Sequence, residues 1–255
     1  MYEMIEIFIL SIVQGITEFL PVSSSSHLII ISKYFNYSNQ NLSIDVSLHI
    51  GSFFAIILYF RTEILNFFQN KELFLKIFIS SIPLIITGYL LVKYNLIDQL
   101  RNMKVIGWTT IVFGILLYIS DKFENRKKIN KDFGFKSALY VGFLQVLSLI
   151  PGVSRSGIAI TAARTLKFER VESAKISFLL SIPILAAVSI YGLQNIFVSK
   201  NINFSLINLL AIFLSFITSY LTIKYFLKYI KNFNLNIFVG YRILLGVLIL
   251  FIAYS

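Results

Sequence analysis

Seven stretches of the chain carry no charged residue: 46–60, 77–92, 105–120, 137–154, 176–199, 201–223 and 243–255. No other feature restricts the fold as strongly. The hydrocarbon core of a bilayer is about 30 Å thick, and a helix crosses it with roughly 20 mostly apolar residues. Most of the runs reach that length with their flanks. Inside the hydrocarbon every backbone polar group needs an internal partner, which long, continuously apolar runs find as helices. Only 14% of the residues are charged, too few for a soluble domain of this size. The sequence therefore reads as an all-α integral membrane protein with one membrane domain over 1–255.

The net charge of +11 does not point to nucleic acid. The basic residues lie mainly between the apolar runs, where membrane topology puts them. With no cysteine, disulfides and thiolate metal sites are excluded. The start of the chain, Met1-Tyr2-Glu3, lacks a basic n-region, so 5–20 reads as mature structure rather than a signal peptide.

Two apolar stretches are interrupted by proline and small polar residues, and they resemble each other. The first runs from Gln14 through Glu18, Pro21 and Ser23 to His27; the second runs from Gln145 through Pro151 and Ser154 to Gly157. An offset of 131 pairs Gln14 with Gln145, Val22 with Val153, Ser23 with Ser154 and Ser25 with Ser156. Broken segments at matching places in two halves point to a binding site within the membrane. Repeat 1 covers about 1–125 and repeat 2 about 132–255.

Charge placement sets the topology. Six basic residues between 121 and 136 place that segment on the cytoplasmic side. Arg164, Lys167, Arg170 and Lys175 belong on the same side, so 137–168 enters and leaves there as a re-entrant hairpin. The matching hairpin, 4–35, enters from outside, and the uncharged stretch 36–41 lies outside. Each half then holds one broken hairpin and three spans, about six transmembrane helices in all, arranged as inverted-topology repeats. The loop 93–104, with Lys93, Arg101 and Lys104 on the outside, runs against the charge rule.

Ionisable residues inside apolar runs are expensive and usually functional. Glu18 is either a carboxylate paired with a structural cation or a general base or metal ligand. Gln14, one helical turn earlier, can offer a carbonyl oxygen as a second ligand. Ser24 and His27 stand three apart, a spacing that suits a nucleophile and its base, or simply a polar turn. Ser154, Ser156 and Gly157 flank Arg155, whose planar fork matches phosphate oxygens; a snorkelling arginine at a helix break is the plainer alternative. His49 follows Asp45 by one turn, and Tyr241-Arg242 is either an interfacial anchor or part of the site. Together these groups ask for an anionic ligand, and they are the parts of phosphoryl transfer, which is mostly positioning and electrostatics.

At these residues the chain resembles the undecaprenyl-diphosphatase, or bacitracin-resistance, family. The resemblance rests on Gly15-Ile16-Thr17-Glu18-Phe19-Leu20-Pro21-Val22-Ser23-Ser24 with His27, and on Pro151-Gly152-Val153-Ser154-Arg155-Ser156-Gly157. It implies hydrolysis of undecaprenyl diphosphate to the monophosphate, which recycles the carrier lipid for peptidoglycan synthesis. It implies Glu18, Ser24, His27 and Arg155 as the catalytic positions. Ser23, Ser25, Ser154, Ser156 and Gly157 are the expected phosphate-binding set. A divalent cation, Mg or Ca, is expected on Glu18 and Gln14. The expected setting is the bacterial inner membrane, with the site facing the periplasm, the lipid and bilayer as partners, and a homodimer as one admissible assembly. The chain departs from the family pattern at Gln14, where an acidic residue is frequent, and at Ser25-Ser26, where Thr-Gly is usual. A polyprenyl-phosphate transporter or flippase is the alternative, because inverted repeats with broken helices are also a transporter architecture. The acid-phosphatase-like lipid phosphatases fit less well, since no second histidine follows Arg155.

Overall fold

The computed structural model describes residues 2–35, 42–67, 71–94, 96, 102–124, 126–198 and 206–255. The stretch 36–41, expected on the outside, lies outside the described residues. The first half contains α1 (Tyr2–Thr17), α2 (Ser24–Phe35), α3 (Leu42–Tyr59), α4 (Arg61–Phe67), α5 (Lys71–Lys93) and α6 (Met103–Asp121). The second contains α7 (Ile129–Asp132), α8 (Phe135–Gln145) with a 3₁₀ turn at Val146–Leu149, α9 (Arg155–Thr165), α10 (Arg170–Val198), α11 (Leu206–Asn232) and α12 (Asn236–Tyr254). Five of these, α5, α6, α10, α11 and α12, are long and apolar enough to cross a membrane, and α1, α3 and α8 are shorter apolar helices. The protein is an all-α, multi-pass membrane protein.

Pro21 and Pro151 lie in the two breaks, whereas Pro83 and Pro183 lie inside α5 and α10. Ile150, just before Pro151, sits at φ −80°, ψ 121°, the extended region that a following proline favours. The second hairpin, α8 and α9, then returns to the end where it began: Tyr140 and Thr165 hydroxyls lie 3.3 Å apart. A charged lock holds that end. Arg170 pairs with both carboxylate oxygens of Asp121 at 2.7 and 3.1 Å. Fully buried Arg164 approaches the same carboxylate at 3.4 Å and donates to the carbonyls of Phe168, Asp121 and Phe123. The backbone N–H of Leu235 donates to the same Asp121. The ends of α6, α9, α10 and α12 therefore share one level with the lysine-rich 121–136 segment, as the charge pattern predicts.

Packing follows the same order in both halves. Each hairpin lays its first helix on a long span of the other half, α1 on α11 and α8 on α5. The corresponding helices α3 and α10 touch each other, as do α6 and α12. Within lipid, close backbone approach and interhelical hydrogen bonds drive association, and both contacts show it. A Cβ at Gly15 would lie 1.9 Å from the Thr218 hydroxyl, and one at Gly142 would lie 2.3 Å from the Ser80 carbonyl. Between α3 and α11 the hydroxyl of Ser52 meets Ser215 and Ser219 at 3.2 and 3.0 Å. The largest apolar core lies between the hairpins and the long spans, with Phe19 edge-on to Phe178 at 5.4 Å and Phe178 against Phe226 at 5.9 Å.

Candidate active site

The two broken tips meet in the interior. Each carries a serine with positive φ, Ser23 at 80° and Ser154 at 72°, and these are the positions that the 131-residue offset pairs. Such a conformation is rare for a residue with a Cβ and persists only where its surroundings over-determine it. Here they do. Ser154 caps α9 by accepting from the Gly157 N–H at 3.1 Å, and Ser23 bonds Ser26 at 2.9 Å. Ser156 donates to the Leu20 carbonyl at 2.6 Å, which joins one tip to the other. Gly152 has φ 93°, and a Cβ there would lie 2.1 Å from the Thr109 hydroxyl.

Arg242 of α12 fastens both tips from behind. It is fully buried. It donates to Pro21 O on the first tip at 3.2 Å, to Gly152 O and Val153 O on the second at 2.8 and 3.0 Å, and to Thr110 O at 3.2 Å. Among the described residues no carboxylate is bonded to it; backbone carbonyls satisfy the guanidinium.

In front of this frame Glu18 organises the polar groups. Its neighbour Phe19 is packed into the core, so the carboxylate turns the other way. One oxygen takes Arg155 Nη2 at 2.5 Å. The other accepts from Ser24 Oγ and from Gln14 Nε2, both at 3.0 Å. The second contact fixes the Gln14 amide, because its oxygen could not face a carboxylate. The same nitrogen lies 3.1 Å from His49 Nδ1. That histidine nitrogen is therefore an acceptor, and His49 carries its proton on Nε2.

These residues line the polar end of a cavity of about 670 Å³. Thr17, Glu18, Ser23, Ser24, His49, Ser154 and Arg155 form this end, and Leu84, Ile85, Tyr89, Val92, Ile184, Val188, Ile190 and Tyr191 form an apolar slot between α5 and α10. A second, more polar cavity of about 820 Å³ lies between the other ends of the same two helices, at Lys71–Leu73 and Glu172–Leu179. The site thus opens toward the end opposite the lysine-rich segment. An apolar slot ending in a cation, hydroxyls and a carboxylate suits a lipid with an anionic head.

Other residues singled out in the sequence lie as follows. His27 does not meet Ser24: its Nδ1 lies 2.6 Å from Ser23 O and its Nε2 lies 2.5 Å from the Tyr241 hydroxyl, and it does not line the cavity. Ser156 and Gly157 also lie off the cavity, with the hydroxyl of one and the N–H of the other engaged within the tips. The Ser25 side chain lies outside the described residues. His49, one turn after Asp45 in sequence, reaches Gln14. Arg242 carried one signal of its importance, an arginine near an apolar run, but its role as a clasp depends on carbonyls far away in sequence.

Among the described residues no cluster of three or more His, Asp or Glu could hold a metal alone. Gln14 Oε1 is buried without a partner. A single carboxylate with this orphaned carbonyl is a partial donor set for a hard cation, which takes oxygen ligands and completes its shell from other sources; Glu18 lines the cavity and Gln14 lies behind it.

A family model described as bacitracin resistance protein BacA matches residues 7–248. The chain is 49% identical over 252 residues to an undecaprenyl-diphosphatase of Pelagibacter ubique, covering 98% of both chains. Two others with that name are 35% identical in Jannaschia sp., over 98% of both chains, and 41% identical in Aliivibrio salmonicida, over 94% of this chain and 95% of the relative.

Proposed function

The chain belongs to the bacitracin resistance protein BacA family, and on that premise we propose that Glu18, Ser24 and Arg155 carry out its phosphatase reaction. The protein is an undecaprenyl-diphosphate phosphatase: it hydrolyses undecaprenyl diphosphate to undecaprenyl phosphate and inorganic phosphate, an activity tied to bacitracin resistance and to carrier-lipid recycling for peptidoglycan.

One observation supports the assignment. A single carboxylate joins a hydroxyl to a guanidinium at the polar end of a lipid-shaped cavity. In the proposed mechanism the prenyl chain lies between α5 and α10, with the diphosphate against Arg155 and Ser154. Ser24 Oγ attacks the terminal phosphorus, and its proton passes to Glu18 along the existing hydrogen bond. The bond to the bridging oxygen breaks, and undecaprenyl phosphate departs. Glu18 passes its proton to the departing phosphate; water then attacks the phosphoserine, Glu18 takes a proton from that water and returns it to Ser24 Oγ as the Oγ–P bond breaks, and inorganic phosphate leaves. Arg155 stays on the phosphoryl oxygens as charge redistributes. A divalent cation would be held by Glu18 and Gln14 Oε1 together with the diphosphate, and when bound it would neutralise charge on the phosphate oxygens. His49, held at Nδ1 by Gln14, also lines this end of the cavity. The cavity opens to the periplasmic side of the inner membrane, because the opposite end bears the basic segment.

A lipid flippase does not need the hydroxyl–carboxylate pair, so Ser24→Ala separates the readings. Phosphate release from undecaprenyl diphosphate is measured with detergent-purified protein. A fall of about a thousandfold in kcat is expected when the nucleophile is lost. Turnover of Ser24→Ala at the wild-type rate would refute the assignment.

A further inference from the structure

Both ring nitrogens of His27 are engaged away from the cavity. Nδ1 lies 2.6 Å from the Ser23 carbonyl, which can only accept, so Nδ1 carries a proton and donates. Nε2 is then the acceptor for the Tyr241 hydroxyl at 2.5 Å. No nitrogen is left to take a proton from Ser24, whose hydroxyl already donates to Glu18. The carbonyl that His27 grips belongs to Ser23, the left-handed residue immediately before the nucleophile. The Ser23–Ser24 peptide plane fixes where the Ser24 Cβ points. The neighbouring Arg242 secures the other flank of the turn at Pro21 O. Two consecutive residues of α12 therefore hold the loop on either side of the nucleophile.

We propose that Tyr241 and His27 are positioning residues for Ser24: Tyr241 fixes the His27 tautomer, and His27 holds the Ser23 carbonyl so that the Ser24 hydroxyl stays aimed at Glu18. This rests on the assignment of Ser24 and Glu18 above. It assigns His27 no proton transfer.

Asparagine and glutamine separate positioning from acid–base chemistry. Asn places an amide N–H where His27 Nδ1 lies, keeping the bond to Ser23 O. Gln carries its amide one atom further, near Nε2, and abandons that bond. The assay is kcat and KM for undecaprenyl diphosphate, beside a melting curve of each detergent-purified variant. His27→Ala and His27→Gln should lose about a hundredfold in kcat, the scale of a misplacement of about 1 Å. His27→Asn should recover to within about tenfold of wild type. Tyr241→Phe should lower kcat about five- to tenfold with KM within twofold, since it loosens His27 without touching substrate. Tyr241→Phe should add nothing in the His27→Asn background, because the shorter side chain no longer reaches the phenol.

A folded His27→Asn as inactive as His27→Ala overturns the proposal, for it would show that the imidazole itself is needed. So would wild-type kcat in Tyr241→Phe, or full additivity of the two changes. Should Tyr241→Phe fail to fold, the Asn and Gln pair still decides. These outcomes are distinct from failure of the underlying assignment, in which Ser24→Ala would turn over normally whatever occupies position 27.

Discussion

Arg242→Lys tests whether the two broken tips depend on one clasp. The arginine makes four hydrogen bonds to carbonyls from two directions of its fork, Nε and Nη1 to Thr110 and Pro21 and Nη2 to Gly152 and Val153. A lysine ammonium is one point with three donors. It can keep the adjacent Gly152 and Val153 carbonyls, but a methylene then replaces Nε and nothing reaches Pro21. Hydrogen bonds to a charged group contribute about 1.5–3 kcal/mol each, so losing two costs about 3–6 kcal/mol. At about 2–4 °C per kcal/mol for a protein of this size, Tm should fall by about 6–24 °C. The only tryptophan, Trp108, lies on α6, which packs against α12, so intrinsic fluorescence in detergent reports the melt. Because Pro21 borders the turn that carries Ser24, kcat should fall with Tm. A Tm within about 2 °C of wild type with unchanged kcat would refute the clasp.

Four further outcomes follow from the same geometry. Glu18→Gln should abolish phosphate release while the protein still inserts and melts cooperatively, because the amide keeps the shape but cannot take the Ser24 proton; near-normal turnover at saturating divalent cation would contradict this. Arg155→Lys should lower kcat/KM about a hundredfold, the usual scale for losing one preorganised donor, with little change in Tm. Gly152→Ala should destabilise by about 3 kcal/mol or more, since it adds a left-handed penalty to overpacking, and equal melting curves would contradict the clash of its Cβ with Thr109. Lys127→Cys and Gln194→Cys should react with an impermeant thiol reagent from opposite sides of the membrane; in a chain with no native cysteine, labelling from one side would end the proposed orientation.

Membrane class was legible from the uncharged runs alone, because lipid leaves the backbone few solutions. The hairpins were legible from Pro21 and Pro151, each followed by small polar residues, whereas Pro83 and Pro183 sit in apolar runs and lie inside continuous helices; they were legible also from the offset that pairs Ser23 with Ser154. Glu18 and Arg155 stood out because a charge in an apolar run needs a reason, and the structure joins them across 137 residues of sequence. The Ser24–His27 pairing was misleading for a local reason. A spacing of three places two side chains together on a regular helix, but Ser24 is the first residue of α2 and follows a left-handed turn. Its side chain turns to Glu18, while His27 folds back on the carbonyl four residues earlier. His49 and Arg242 reach their partners from α3 and α12, and no local pattern of residues announces such contacts. Ser156 and Gly157 resemble anion-binding residues in sequence, yet their polar groups are engaged in holding the tips together.

The crossed packing of the hairpins also bears on how the chain is made. α1 leaves the ribosome well before its packing partner α11, which begins at Leu206. Roughly 190 residues separate them, about 10–40 s of synthesis at typical rates. Throughout that interval α2 and α3 can supply Ser24 to Glu18 and His49 to Gln14, but the part of α1 that packs on α11 lacks its partner, and Ser11, Gln14 and Glu18 end fully or nearly fully buried. Lipid is a poor host for them. The nascent hairpin must therefore wait in a sheltered place, at the insertion machinery or at the membrane surface, until the last third of the chain arrives. A first half expressed alone should remain exposed to membrane proteases, and coexpression of the second half should rescue it.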